Sequence, residues 1–127
     1  MRKIMIVDDN YLSAEGIEKN IDWEVLNAEI VHICYNGTSA IDAMKKEPVD
    51  LIISDIEMPD LDGISMSRQA LDINPMVKII LISAYDKFEY ARRALLLGAL
   101  DYIEKPLDYA YPVSYTHLRA HETRSNL

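Results

Sequence analysis

Short runs of consecutive apolar residues alternate along this chain with longer stretches in which apolar residues recur every three or four positions. Uninterrupted runs suit strands buried on both faces of a sheet, and the three-to-four spacing suits helices with one inward stripe. Five strands are expected: Lys3 to Val7, Glu29 to Cys34, Leu51 to Ser54, Lys78 to Ile82 and Leu100 to Glu104. Four helices are expected between them. The first runs from about Tyr11 to Ile21 with Leu12, Ile17 and Ile21 inward. The second follows Asn36-Gly37-Thr38, capped by Thr38 or Ser39, with Ala40, Ile41 and Met44 inward. The third follows Asp62-Gly63, carries Ile64, Met66, Ala70 and Leu71, and ends near Asn74-Pro75, since proline disfavours helix in the residue before it. The fourth runs from Lys87 through Leu97 and stops at Gly98. Alternating strands and helices predict an α/β protein, and right-handed crossovers give a doubly wound five-stranded parallel sheet in the order 2-1-3-4-5.

The pattern fails near the end. A fifth helix should cover one sheet face after Asp108, but Tyr111-Pro112-Val113 interrupts any apolar period, so that helix is expected to be missing or replaced. VSYTHLRAHET, Val113 to Thr123, looks like the translation of an adapter used in DNA library preparation. The chain is accordingly divided into a domain at 1–108 and a non-native or disordered tail at 109–127, with the native C-terminus lying further on.

Composition narrows the function. With 127 residues, half of them hydrophobic, the chain can form one domain with a real core. Thirteen basic against 21 acidic residues leave a net charge of -8, which disfavours nucleic acid and anionic membrane surfaces. No apolar run approaches the ~20 residues of a membrane span, and the N-terminus lacks the pattern of a signal peptide, so a cytoplasmic protein is expected. Cys34 is the lone cysteine and reads as a core residue. His32 shares its strand face but lacks further ligands nearby, and reads as packed. Trp23 reads as a hydrophobic plug after the first helix. Tyr85, Phe88 and Tyr90 form an aromatic cluster that suits either a partner surface or packing.

The chemistry gathers where strands end. Asp8 and Asp9 follow the first strand, Asp55 the third, Ser83 the fourth and Lys105 the fifth. In an open parallel sheet the carboxyl ends of the strands form the ligand site. Three carboxylates in one cleft repel one another and call for a cation, and all-oxygen ligation suits Mg²⁺. Asp8-Asp9-Asn10 also reads as a helix cap with first-turn acids, Lys105 as a turn and Ser83 as a helix start. A metal-bridged aspartate facing a lysine can act as nucleophile toward phosphorus, a reaction that chiefly needs positioning and charge neutralisation.

IMIVDDN, IISDIEMPDLDG, LISAYD and DYIEKPLD together resemble the receiver domain of bacterial two-component response regulators, over Met1 to about Asp108. IDWEVL, the Asn36-Gly37 turn and AYDKFEYARRAL are similar to the YesN-like branch, whose members usually carry a C-terminal AraC-type DNA-binding domain. The resemblance implies a flavodoxin-like fold and a phosphorelay in which a sensor histidine kinase phosphorylates Asp55. It implies that Asp9, Asp55 and the backbone carbonyl of Glu57 hold Mg²⁺, with Asp8 acting through water. Lys105 and Ser83 contact the phosphoryl group, and Tyr102 is the switch aromatic that turns inward as Ser83 moves. Glu57 and Tyr85 fall where the lifetime of the acyl phosphate is tuned. The fourth helix and fifth strand offer a face for a homodimer, and any contact with DNA belongs to a C-terminal domain absent here.

Such a chain is an acceptor rather than a turnover enzyme. Two rivals remain open: a small phosphatase using an aspartyl phosphate, which usually has a second aspartate where this chain has Glu57, and a docking module that is never phosphorylated. Tyr102 by itself also fits a plain strand-edge aromatic. An independent read of the genomic locus is expected to diverge from this sequence near Pro112; a genome encoding the same tail would remove the adapter explanation.

Overall fold

Placing every apolar run in a buried strand demands cover on both sides, and the architecture meets that demand. The computed structural model describes residues 1–84 and 88–105, apart from the side chain of Phe88. Its strands are β1 (Arg2–Val7), β2 (Ala28–Cys34), β3 (Leu51–Asp55), β4 (Lys78–Ser83) and β5 (Asp101–Glu104), and its helices α1 (Tyr11–Asn20), α2 (Gly37–Lys46), α3 (Gly63–Ile73) and α4 (Phe88–Leu97). All four strand pairings are parallel and the order is β2-β1-β3-β4-β5, as expected.

Side chains of β1, β3, β4 and β5 alternate across the sheet, while the β1–β2 pairing shifts register between Ile4 and Met5. Met5, Val7, Ile52, Ile79 and Leu81 point to one face, where they pack with Met44, Ile64, Met66 and Ala94 from α2, α3 and α4. Ile4, Ile6, Ile53, Ile80, Ile82 and Ile103 point to the other, with Ala14 and Ile17 from α1. Trp23 packs on this second cluster and donates its indole N–H to the Glu18 carbonyl at 3.0 Å, which is the plug expected of it. His32 is partly buried with Nε2 2.9 Å from the Glu47 carbonyl oxygen. Burial pushes the Cys34 thiol pKa up, as befits a core cysteine.

Three expectations need correcting. Leu12 is not inward; it is 79% exposed. It lies five residues before Ile17, about 140° around the helix from the buried stripe of Ala14 and Ile17. Neither Thr38 nor Ser39 caps α2: the Asn36 side chain accepts the Ser39 N–H at 2.8 Å. Strand ends also move by one residue, because pairing rather than polarity sets them. Asp55 pairs with Ile82 and Ser83 with Glu104, so both belong to their strands, whereas Leu100 precedes β5. The expected loss of a fifth helix, the tail at 109–127, Lys87 and Tyr85 lie outside the described residues.

Two glycines let loops close against the sheet. At Gly63 a Cβ would run into the backbone oxygen of Asp55, and at Gly37 into that of Leu61. Gly63→Ala is therefore expected to destabilise the domain by about 1–3 kcal/mol through displacement of the Asp55 backbone. Urea unfolding with an unchanged m-value would show this, and an unaltered midpoint would refute it.

Candidate functional site

Parallel strands that stop in step leave their carboxyl ends along one edge, and here that edge carries the chemistry. Asp8 follows β1 and is only 1% exposed. One of its oxygens accepts the Asn10 N–H at 2.9 Å and the other accepts the Lys105 ammonium at 2.9 Å. The helix cap falls to Asn10, whose side chain accepts the Ser13 N–H at 3.1 Å, so Asp8 and Asp9 are not spent on capping α1. Asp9 is exposed at the mouth of the cleft. Asp55 ends β3, buried, with one oxygen accepting the Ile56 N–H at 3.0 Å and the other 3.7 Å from Lys105 Nζ. Lys105 is brought there by β5, and its own N–H donates to the Ser83 carbonyl at 2.7 Å.

One oxygen from each of Asp8, Asp9 and Asp55 lies within 4.8 Å of the others, the only such cluster among the described residues. Against these carboxylates the described residues set the Lys105 ammonium. The Asp55 carboxyl is pushed up to about 7, chiefly because burial strips its solvation and next because Asp8 repels it; Lys105 draws it back, while Glu57 and Asp9 add to the rise. Burial opposes the charge on Lys105, but its hydrogen bond to Asp8 and the charges of Asp55, Asp8 and Asp9 outweigh this and raise its pKa. A cleft with surplus negative charge, built of hard oxygen donors, is fitted to a divalent cation.

Ser83 ends β4 fully buried, and its hydroxyl donates to Oε1 of Glu57 at 2.5 Å. The sequence motifs gave no sign of this contact, because it joins residues from two strand ends. Tyr102 is partly buried in β5 opposite Leu81, packed against the α2–α4 core, and lines a cleft of ≈300 Å³ with Ala91, Leu95 and Ala99. Tyr90 is likewise partly buried, beside a second cleft. The structure thus brings Asp8, Asp9, Asp55 and Lys105 together and sets Ser83 against Glu57. The loop after Asp55 is fixed by two further acids that the sequence left without a role or marked only as a helix start. Asp60 accepts the N–H groups of Gly37 and Thr38 at 3.2 and 3.0 Å, and Asp62 caps α3 through the N–H groups of Ile64 and Ser65. Asx capping of a distant helix has no local sequence signature.

A doubly wound α/β sheet of this order places an acidic cleft and a lysine at its carboxyl edge, where such folds bind ligands. The chain matches the response regulator receiver domain over residues 4–111, and it belongs to that family. It is 31% identical over 106 residues to the transcriptional regulatory protein YesN of Bacillus subtilis, covering 84% of this chain and 29% of that protein. It is 31% identical over 112 residues to the transcriptional regulatory protein HptR of Staphylococcus aureus, covering 87% of this chain and 43% of that one. The chain therefore spans less than half the length of these relatives. Among solved structures, the REC domain of AraT, a response regulator from Geobacillus stearothermophilus, superposes with a TM-score of 0.86 at 32% identity, over 98% of each chain. The function is that of a phosphorelay receiver.

In the unfolded chain the Asp55 carboxyl ionises near 4. Between pH ~4 and ~7 the folded protein retains a proton that the unfolded chain releases, so its stability falls as pH rises through that window. Asp55→Asn removes this titration. In chelator, the variant is expected to gain on the parent between about pH 5 and about pH 8, by up to several kcal/mol, and Mg²⁺ should narrow the gap. Urea melts at both values test this; a difference independent of pH would contradict it.

Proposed function

We propose that Asp55 is the phosphoacceptor, taking a phosphoryl group from the phosphohistidine of a sensor histidine kinase. The observation that carries the reading is the meeting of Lys105 Nζ with both buried carboxylates, 2.9 Å from Asp8 and 3.7 Å from Asp55. The Asp55 oxygen nearer Lys105 attacks phosphorus as the phosphorus–nitrogen bond of the donor breaks, and the electron pair of that bond stays with the imidazole. Lys105 neutralises charge gathering on the transferred group, and Ser83 donates its hydroxyl to one of that group's oxygens. Asp9, Asp55 and the Glu57 backbone carbonyl would hold Mg²⁺, with Asp8 acting through water. When bound, the ion would supply charge neutralisation for phosphoryl transfer. Its fit rests on three clustered carboxylates that, among the described residues, are offset by the Lys105 ammonium.

Phosphorylation then shifts a conformational equilibrium in which Ser83 moves and Tyr102 turns inward, changing the face of α4 and β5. Leu95 and Leu96, exposed on α4 at 78% and 69%, support that face as a partner surface, including a homodimer. YesN and HptR are named as transcriptional regulators, so the output we assign is control of transcription by a DNA-binding domain in the longer protein, in the cytoplasm. Among the described residues no helix is long and apolar enough to cross a membrane.

The chain is an acceptor and not a turnover enzyme. Against the phosphatase reading, the position two residues beyond Asp55 holds Glu57, and its carboxylate is engaged by Ser83. Incubation with acetyl phosphate or phosphoramidate and Mg²⁺ is expected to add one phosphoryl group to the parent chain and none to Asp55→Asn, read by intact mass. Equal labelling of the variant would remove Asp55 from the role, and steady release of phosphate from small monoesters would favour the enzyme instead.

A further inference from the structure

Two carboxylates stand near the end of β4 on one short segment, Asp55 and, two residues on, Glu57. The Ser83 hydroxyl donates to Glu57 at 2.5 Å. A hydroxyl carries a single hydrogen, so donating to Glu57 and donating to an oxygen carried on Asp55 exclude one another. Glu57 is partly buried and forms one wall of a cleft of ≈440 Å³ with Met58, Asp62, Tyr90 and Arg93. That space gives the carboxylate somewhere to go when it leaves Ser83, beside a guanidinium lining the same cleft.

We propose that Glu57 is a positioning residue that latches Ser83: it retains the hydroxyl in the unphosphorylated chain and has to release it before Ser83 can contact a phosphoryl group on Asp55. The inference deepens the assignment of Asp55 and Ser83 made above and rests on it. The hydrogen bond to Glu57 is charge-assisted, hence stronger than one between neutral partners, and its loss offsets part of what Ser83 gains at the phosphoryl group. The latch thereby biases the domain toward its resting conformation. Glu57 also repels an incoming anion through its charge alone, an effect that needs no Ser83, so the two must be separated.

Beryllofluoride with Mg²⁺ is the probe, a tetrahedral mimic of a phosphoryl group on a carboxylate. Glu57→Gln keeps a carbonyl acceptor for Ser83 and loses the charge, Glu57→Ala loses both, and each is also made with Ser83→Ala; all retain the backbone carbonyl at 57. Glu57→Ala is expected to bind beryllofluoride roughly tenfold more tightly than the parent, and Glu57→Gln, which loses the charge but keeps an acceptor for Ser83, to gain less. In the Ser83→Ala background the two should become equal. In metal-free protein the Ser83 hydroxyl proton should give a slowly exchanging downfield NMR signal in the parent and Glu57→Gln, absent from Glu57→Ala. Equal gains for both substitutions, or a difference that survives Ser83→Ala, would overturn the latch in favour of plain charge repulsion. A parent chain that does not bind beryllofluoride at all would overturn the role of Asp55, and the latch with it.

Discussion

The ammonium of Lys105, held between the carboxylates of Asp8 and Asp55, is the contact on which the cleft depends. Removing charged carboxylates from water is unfavourable unless something compensates them, and these two are 1% and 5% exposed. Lys105 compensates one charge and part of another. Among the described residues the remaining negative charge suits the cleft to a cation and holds the Asp55 carboxyl reluctant to ionise. The same balance constrains the fold, because β5 has to reach the sheet edge in register with β4 for the ammonium to arrive.

That edge is aligned by backbone rather than by side chains. The Lys105 N–H bonds the Ser83 carbonyl, Ile56 bonds that of Ile82, and Asp8 bonds that of Cys34, so the residue leaving each of these strands is tied to its neighbour. Gly63 then allows the chain to fold back over Asp55 at a distance that no side chain would tolerate. Position in the sheet, pairing and a glycine together fix the Asp55 backbone at the sheet edge.

Much of this was legible in the sequence. Runs such as Leu51-Ile52-Ile53 and Lys78-Ile79-Ile80-Leu81-Ile82 are too apolar for anything but doubly covered strands, so sheet and order followed from local pattern and handedness. The acids and the lysine could be placed at strand ends for the same reason. Leu12 was misread because an apolar residue near a helix start says nothing about its angle until the buried stripe is fixed by Ala14 and Ile17. The Asn36 cap was missed for two hydroxyl residues lying just after it. Contacts such as Ser83 with Glu57, or Asp60 with the α2 amides, join segments far apart in the chain, and no spacing rule reports them.

The hold of Asp60 on α2 has a mechanical outcome. Its carboxyl is kept well below the usual range, first by the Thr38 hydroxyl and then by backbone N–H groups, so that anchor stays charged under any ordinary condition. The loop beyond Asp55 is thus moored on one flank while its other flank borders open space beside Tyr90 and Arg93. The two flanks of the segment after Asp55 are thus unequally restrained: the α2 side is tied by charge-assisted hydrogen bonds, and the α4 side borders a cleft.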